Sequence, residues 1–102
     1  MTEDEIAAVE IDAKGRLCVQ PMVRDFAYIY RAAMEVSWDD AKRRLFSPRP
    51  REWTYAMWFA QILRAAEGEY DVKLKLTPRT LWTNVPDDLR AEIVAAHAAS
   101  CE

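Results

Sequence analysis

Glycine is scarce in this 102-residue chain: Gly15 and Gly68 are the only two. A loop that cradles phosphate with its backbone needs several closely spaced glycines, so no nucleotide-binding signature is present. Histidine is scarcer still. His97 stands alone, without a strained nucleophile turn or a Cys/His signature, so no catalytic residue is assigned and the chain reads as a non-enzyme. Two cysteines, Cys18 and Cys101, are too few for a disulfide framework and suit a reducing cytoplasm. His97 and Cys101 are four apart, a spacing that zinc sites use, but no further ligands complete a set; neither a metal nor a cofactor is expected. No apolar run is long enough to cross a bilayer. The acidic start Met1-Thr-Glu-Asp-Glu5 has no apolar core of a secretory signal. A net charge of −3 weighs against general nucleic-acid binding unless the cations gather on one face.

What the chain does have is a dense aromatic run. Trp53, Tyr55, Ala56, Met57, Trp58, Phe59, Ala60, Ile62 and Leu63 are broken only by Thr54 and Gln61. On a helix they fall on two sides. Trp53, Ala56, Ala60 and Leu63 suit close packing inside the monomer, whereas Tyr55, Trp58, Phe59 and Ile62 form a second apolar face. A helix apolar on two sides is central or covered by a partner. The second face is either covered within the chain, with the sheet on one side of the helix and the Met22–Glu35 helix on the other, or, since Tyr and Trp anchor interfaces, it forms a homodimer seam or a ligand groove.

The rest of the chain supplies elements around that helix, which spans about 51–67 and is expected to end at Gly68. Ile6 to Pro21 reads as a hairpin, with Asp12 opening a turn and Gly15 at its positive-φ position. Met22 to Glu35 repeats Met22, Phe26, Ile29, Tyr30, Ala33 and Met34 at steps of three and four, which predicts a helix. Ser37 opens a second short helix with Trp38, Ala41 and Leu45 on one stripe. Residues 70–76 alternate as a half-buried strand, a short strand follows near 81–85, and Pro86 with Asp87 and Asp88 opens a last helix. The expected fold class is α+β: an antiparallel sheet of three or four strands with three or four helices. The chain is expected to be a single domain over 1–102, with residues 1–5 and 99–102 frayed.

One charged segment stands out. Lys42, Arg43, Arg44, Arg49 and Arg51 occur without an intervening acid, close to Phe46 and Trp53. Basic and aromatic residues together can receive single-stranded nucleic acid or an acidic protein; separately, they are a solvated helix end and loop. The hairpin, Ile11-Asp-Ala-Lys-Gly-Arg-Leu-Cys-Val-Gln-Pro21, resembles that of the swapped-hairpin AbrB-type DNA-binding family. Pro21 comes one residue late and the second basic hairpin is missing, so that reading is set aside.

Across the whole chain, three stretches carry a different resemblance: Val9-Glu-Ile-Asp-Ala-Lys-Gly-Arg16, Pro50-Arg-Glu-Trp-Thr-Tyr-Ala-Met-Trp58 and Val72-Lys-Leu-Lys-Leu-Thr-Pro78. They are similar to small bacterial proteins carried on mobile integron gene cassettes. That resemblance implies a compact α+β domain, often oligomeric, with no catalytic residue to carry over. The expected function is a cytoplasmic binding or interaction protein, a homodimer through Tyr55, Trp58, Phe59 and Ile62, with no membrane partner. Alternatives are a nucleic-acid-associated regulator using the basic segment, and a small-ligand binder or enzyme with an aromatic pocket.

Overall fold

Asp12 builds the turn from which the sheet grows. In the computed structural model, which describes residues 2–100 and side chains through Ala98, its Oδ1 accepts from the N–H groups of Lys14 and Arg16, both at 2.9 Å. Gly15 sits at φ +79° and donates to the Asp12 carbonyl. This is the expected turn with a left-handed glycine. It joins β1 (Thr2–Ile11) to the antiparallel β2 (Leu17–Pro21).

β1 then takes two more neighbours on its other edge, both parallel: β5 (Val72–Lys75) beside Thr2–Glu5, and β6 (Leu81–Thr83) beside Ala8–Glu10. These two are one strand with a detour. Thr2 pairs with Val72 and Ala8 with Leu81, so nine steps along the second strand match six along β1, and three residues are taken up in the loop. A β-bulge between Ile6 and Ala8 falls at the same level. It re-phases β1, so the buried positions run Asp4, Ile6 and then Val9. Thr80 pins the detour: its hydroxyl donates to the Ile6 carbonyl at 2.7 Å and accepts from Thr77 N–H at 3.0 Å.

On the far side β2 pairs with β4 (Arg44–Phe46), which pairs with β3 (Ser37–Asp39), both antiparallel. The sheet is therefore mixed and has six strands, not the three or four antiparallel strands expected. The α+β class stands. Two α-helices, α1 (Tyr55–Tyr70) and α2 (Asp87–Ser100), pack together, and α1 lies against β2 and β5. The described core, including Ile6, Val9, Val19, Leu45, Phe59, Ile62, Leu74 and Ile93, is the apolar layer they share with the strands.

Two expected helices are absent. Ser37 to Phe46 is the β3–β4 hairpin. Trp38 and Leu45, read as one helical stripe, are cross-strand partners, and Ala41 lies in the turn, where Asp39 Oδ1 accepts from Ala41 and Lys42 N–H. Met22 to Glu35 is a series of tight turns with one 3₁₀ segment, Ile29–Arg31. Phe26, Ile29 and Ala33 are buried as their spacing predicts, but Met22, Tyr30 and Met34 are exposed. A tertiary contact organises this stretch: buried Asp4 accepts from Val23 and Arg24 N–H through Oδ2.

Helix α1 also differs at both ends. Thr54 caps it by accepting from Met57 N–H, and Asp71 in the left-handed conformation ends it, three residues past Gly68. Tyr70 holds this extra turn, packing on Phe26 with ring centroids 5.0 Å apart and accepting from Tyr28 N–H. Thr2 to Glu5, expected to be frayed, form the part of β1 paired to β5. Met1, Cys101 and Glu102, and with Cys101 the two-ligand pair to His97, lie outside the described residues.

Candidate functional site

The second aromatic face of α1 is covered by the chain itself. Phe59 and Ile62 are 1% and 0% exposed, and Trp58 is 9% exposed. Tyr55 is half-buried and donates its hydroxyl to the Gly15 carbonyl at 2.9 Å. Of the four residues expected at a homodimer seam, Trp58, Phe59 and Ile62 belong to the core and Tyr55 packs against it; β2, β5, the 3₁₀ segment and α2 are the elements that pack on α1. Tyr55 and the edge of Trp58 are the parts of this face that reach the surface.

The Trp58 edge opens on a cleft of about 460 Å³ between α1, the 33–35 turn and the 48–53 connector. Trp53 and Trp58 meet there with centroids 4.8 Å apart and planes tilted by 43°. Arg49 and Arg51 line the same space, as do Glu35 and Glu52. No ion pair joins any of these four charges to another described residue. Arg49 is placed by the hairpin turn: a Cβ built on Gly15 would meet its Cγ at 3.2 Å. The positive φ favours glycine at that turn, and a side chain there would also have to push Arg49 aside by a few tenths of an ångström.

The five basic residues do not make one face. Lys42 and Arg43 occupy the β3–β4 turn, where Arg43 pairs with Asp25 at 3.4 Å and Asp40 at 3.7 Å. Arg44 is only 8% exposed and reaches Glu10 at 3.5 Å. Arg43 belongs to the turn, in the left-handed conformation at φ 56°, whereas Arg44 is the first residue of β4. Only Arg49 and Arg51 converge, and they do so on the tryptophans. Nor does Arg51 oppose a helix dipole, since α1 begins at Tyr55.

Cys18 offers no nucleophile. Burial pushes its thiol up to about 11, with Asp12 and Glu10 adding to the effect against Arg44 and Arg16. Among the described residues no three of the His, Cys, Asp and Glu side chains gather as a metal site.

His97 has a structural post. Its Nε2 accepts from Leu76 N–H at 3.3 Å, which requires the neutral ring. Burial is the main cause holding its pKa below the usual value; a bond to the Leu74 backbone opposes this, while Lys73 and Lys75 add to it. The unfolded chain thus takes up this proton more readily. Stability is expected to be undiminished above about pH 7 and to fall as pH drops below about 6.5, by at most about 1.4 kcal/mol per unit. Urea titrations between pH 5.5 and 7.5 measure the slope, and His97→Gln should remove it.

The family model of the integron cassette protein Hfx_Cass5 matches residues 4–80. The chain belongs to this family. A solved member, integron cassette protein Hfx_Cass5 from the mobile metagenome of the North West Arm Sewage Outfall, is 53% identical; the match covers 96% of this chain and 98% of that one, with a TM-score of 0.48. No curated protein matches. The integron-cassette resemblance read from the three sequence stretches is thus the family itself. Sequence reasoning named Trp58, Arg49 and Arg51 but did not join them. The signal available was Pro48-Arg-Pro50, a stiff connector that lands two arginines next to Trp53.

Proposed function

We propose that this family member binds a small, flat, anionic organic molecule in the tryptophan–arginine cleft. The observation that carries the reading is the meeting of a tilted tryptophan pair with two arginines that no carboxylate of the described chain pairs. The tryptophans offer a face for stacking, and the guanidinium groups offer planar, bidentate donors for a carboxylate or similar group. A volume of about 460 Å³ lies in the range of small-molecule sites. Glu35 and Glu52 on the same walls would select against polyanions and against long nucleic-acid strands. The test is a fluorescence titration with 1-naphthoate. Saturable quenching is expected, weakened by about tenfold or more in the double variant Arg49→Ala, Arg51→Ala. Quenching that does not saturate, or that ignores both substitutions, sinks the reading.

A second reading keeps self-association but moves it. Met34 is 93% exposed, and Trp53 and Met57 are 37% and 45% exposed. Such side chains at a protein surface suit a contact between copies. Sedimentation at micromolar concentration should then show a dimer that Met34→Glu dissociates; a monomer at every concentration removes this reading.

A further inference from the structure

Helices α1 and α2 do not close completely over β5. Between them lies a second cavity, of about 280 Å³, that shares no lining residue with the tryptophan cleft. Its origin is in the sequence: Ala60 on α1 and Ala96 on α2 are the smallest residues of its lining, and alanine leaves the space unfilled. Phe59, Leu63 and Leu74 supply apolar walls. At the mouth stand Arg64, Lys73 and Glu67, with the ring of His97 alongside.

We infer that this crevice is a binding site for a short, unbranched monocarboxylate, tail inward and head at Arg64 and Lys73. Three points carry the inference. Size is the first: at about 30 Å³ per water-sized group, the cavity holds roughly nine such groups, the scale of a six- to eight-carbon acid. The second is the wall chemistry, which rewards an apolar tail and gives it no hydrogen-bond partner. Charge is the third. Two cations stand against one carboxylate at the mouth, and neither Arg64 nor Lys73 is ion-paired to a described residue; Arg64 donates only to Gln61 Oε1, at 3.3 Å. His97 is committed as an acceptor to Leu76. The net positive mouth therefore favours one anionic head over a cationic one.

Hexanoate is the probe, read by NMR from the ring signals of His97, the only histidine in the chain. A saturable shift at millimolar hexanoate is expected, with hexylammonium at least about tenfold weaker. Charge reversal in Arg64→Glu, Lys73→Glu should weaken hexanoate by a similar factor. Ala96→Leu should fill the crevice and abolish the shift; if that variant does not fold, the charge-reversed protein decides alone. No saturable shift, equal binding of hexylammonium, or binding that survives Ala96→Leu in a folded protein would overturn the inference. The naphthoate titration of the tryptophan cleft is independent of each of these results.

Discussion

Phe59→Ala is expected to destabilise the protein by about 3–5 kcal/mol without changing its association state. Phe59 is 1% exposed in the described chain, meets the edge of His97 with centroids 6.3 Å apart, and forms a wall of the crevice between the two helices. Truncation removes its apolar area and enlarges a space that the alanines already leave open, so the site has little to collapse onto. Trp53→Ala provides the contrast. Trp53 is 37% exposed, and its loss should cost well under half as much while still removing half of the tryptophan pair. Urea melts of both variants, run with sedimentation, measure the difference. A cost below about 1 kcal/mol for Phe59→Ala, or a dimer that this change dissolves, would return the residue to an interface.

Thr80→Val should cost about 2–3 kcal/mol, although the two side chains are nearly the same shape. The hydroxyl is 6% exposed at the residue level and makes two bonds, to the Ile6 carbonyl and from the Thr77 N–H. Valine leaves both backbone groups without their partner where water has poor access, and an unsatisfied buried group costs about 1–3 kcal/mol. The carbonyl at stake lies at the bulge, where the regular ladder cannot serve it. Thr80→Ser keeps the hydroxyl and should recover most of the loss. If valine and serine behave alike in denaturant titrations, the detour between β5 and β6 is held by something other than this hydroxyl.

The parts of this fold legible in the sequence are those fixed locally. Asp12 and Gly15 determine their turn through bonds and dihedrals within five residues. Pro86, Asp87 and Asp88 mark the start of α2, and the acids stand in its first turn. Illegible parts depend on distant partners. Trp38 and Leu45 fit a helical step and a cross-strand pair equally well, and only the presence of β2 beside β4 decides. Phe26, Ile29 and Ala33 carry a helical spacing, yet the chain around them answers to Asp4, about twenty residues away. Gly68 signals a stop that is overridden by the contacts Tyr70 makes with the distant Phe26 and Tyr28. Of the cleft, the residue types were visible and the convergence was not. Arg49 and Arg51 separate from Arg44 because β4 ends at Phe46 and the connector crosses the hairpin turn.

Strand β1 carries a further consequence, for the order in which the chain assembles. Its residues Thr2 to Glu5 have their partners, Val72 to Lys75, seventy positions further on, and the pairing with Leu81 to Thr83 comes later still. The β1–β2 hairpin can form as soon as it is made; the opposite edge of β1 must wait for most of the chain. Pairings of such long sequence separation form slowly, and an open edge is a template for a neighbouring molecule. Glu3, exposed, and Glu5, half-buried, stand on that waiting stretch, and they pair with Lys75 and Arg79 only when the distant segment arrives. Until then the two carboxylates put like charges on the waiting edge, which disfavours its pairing with the same edge of another copy.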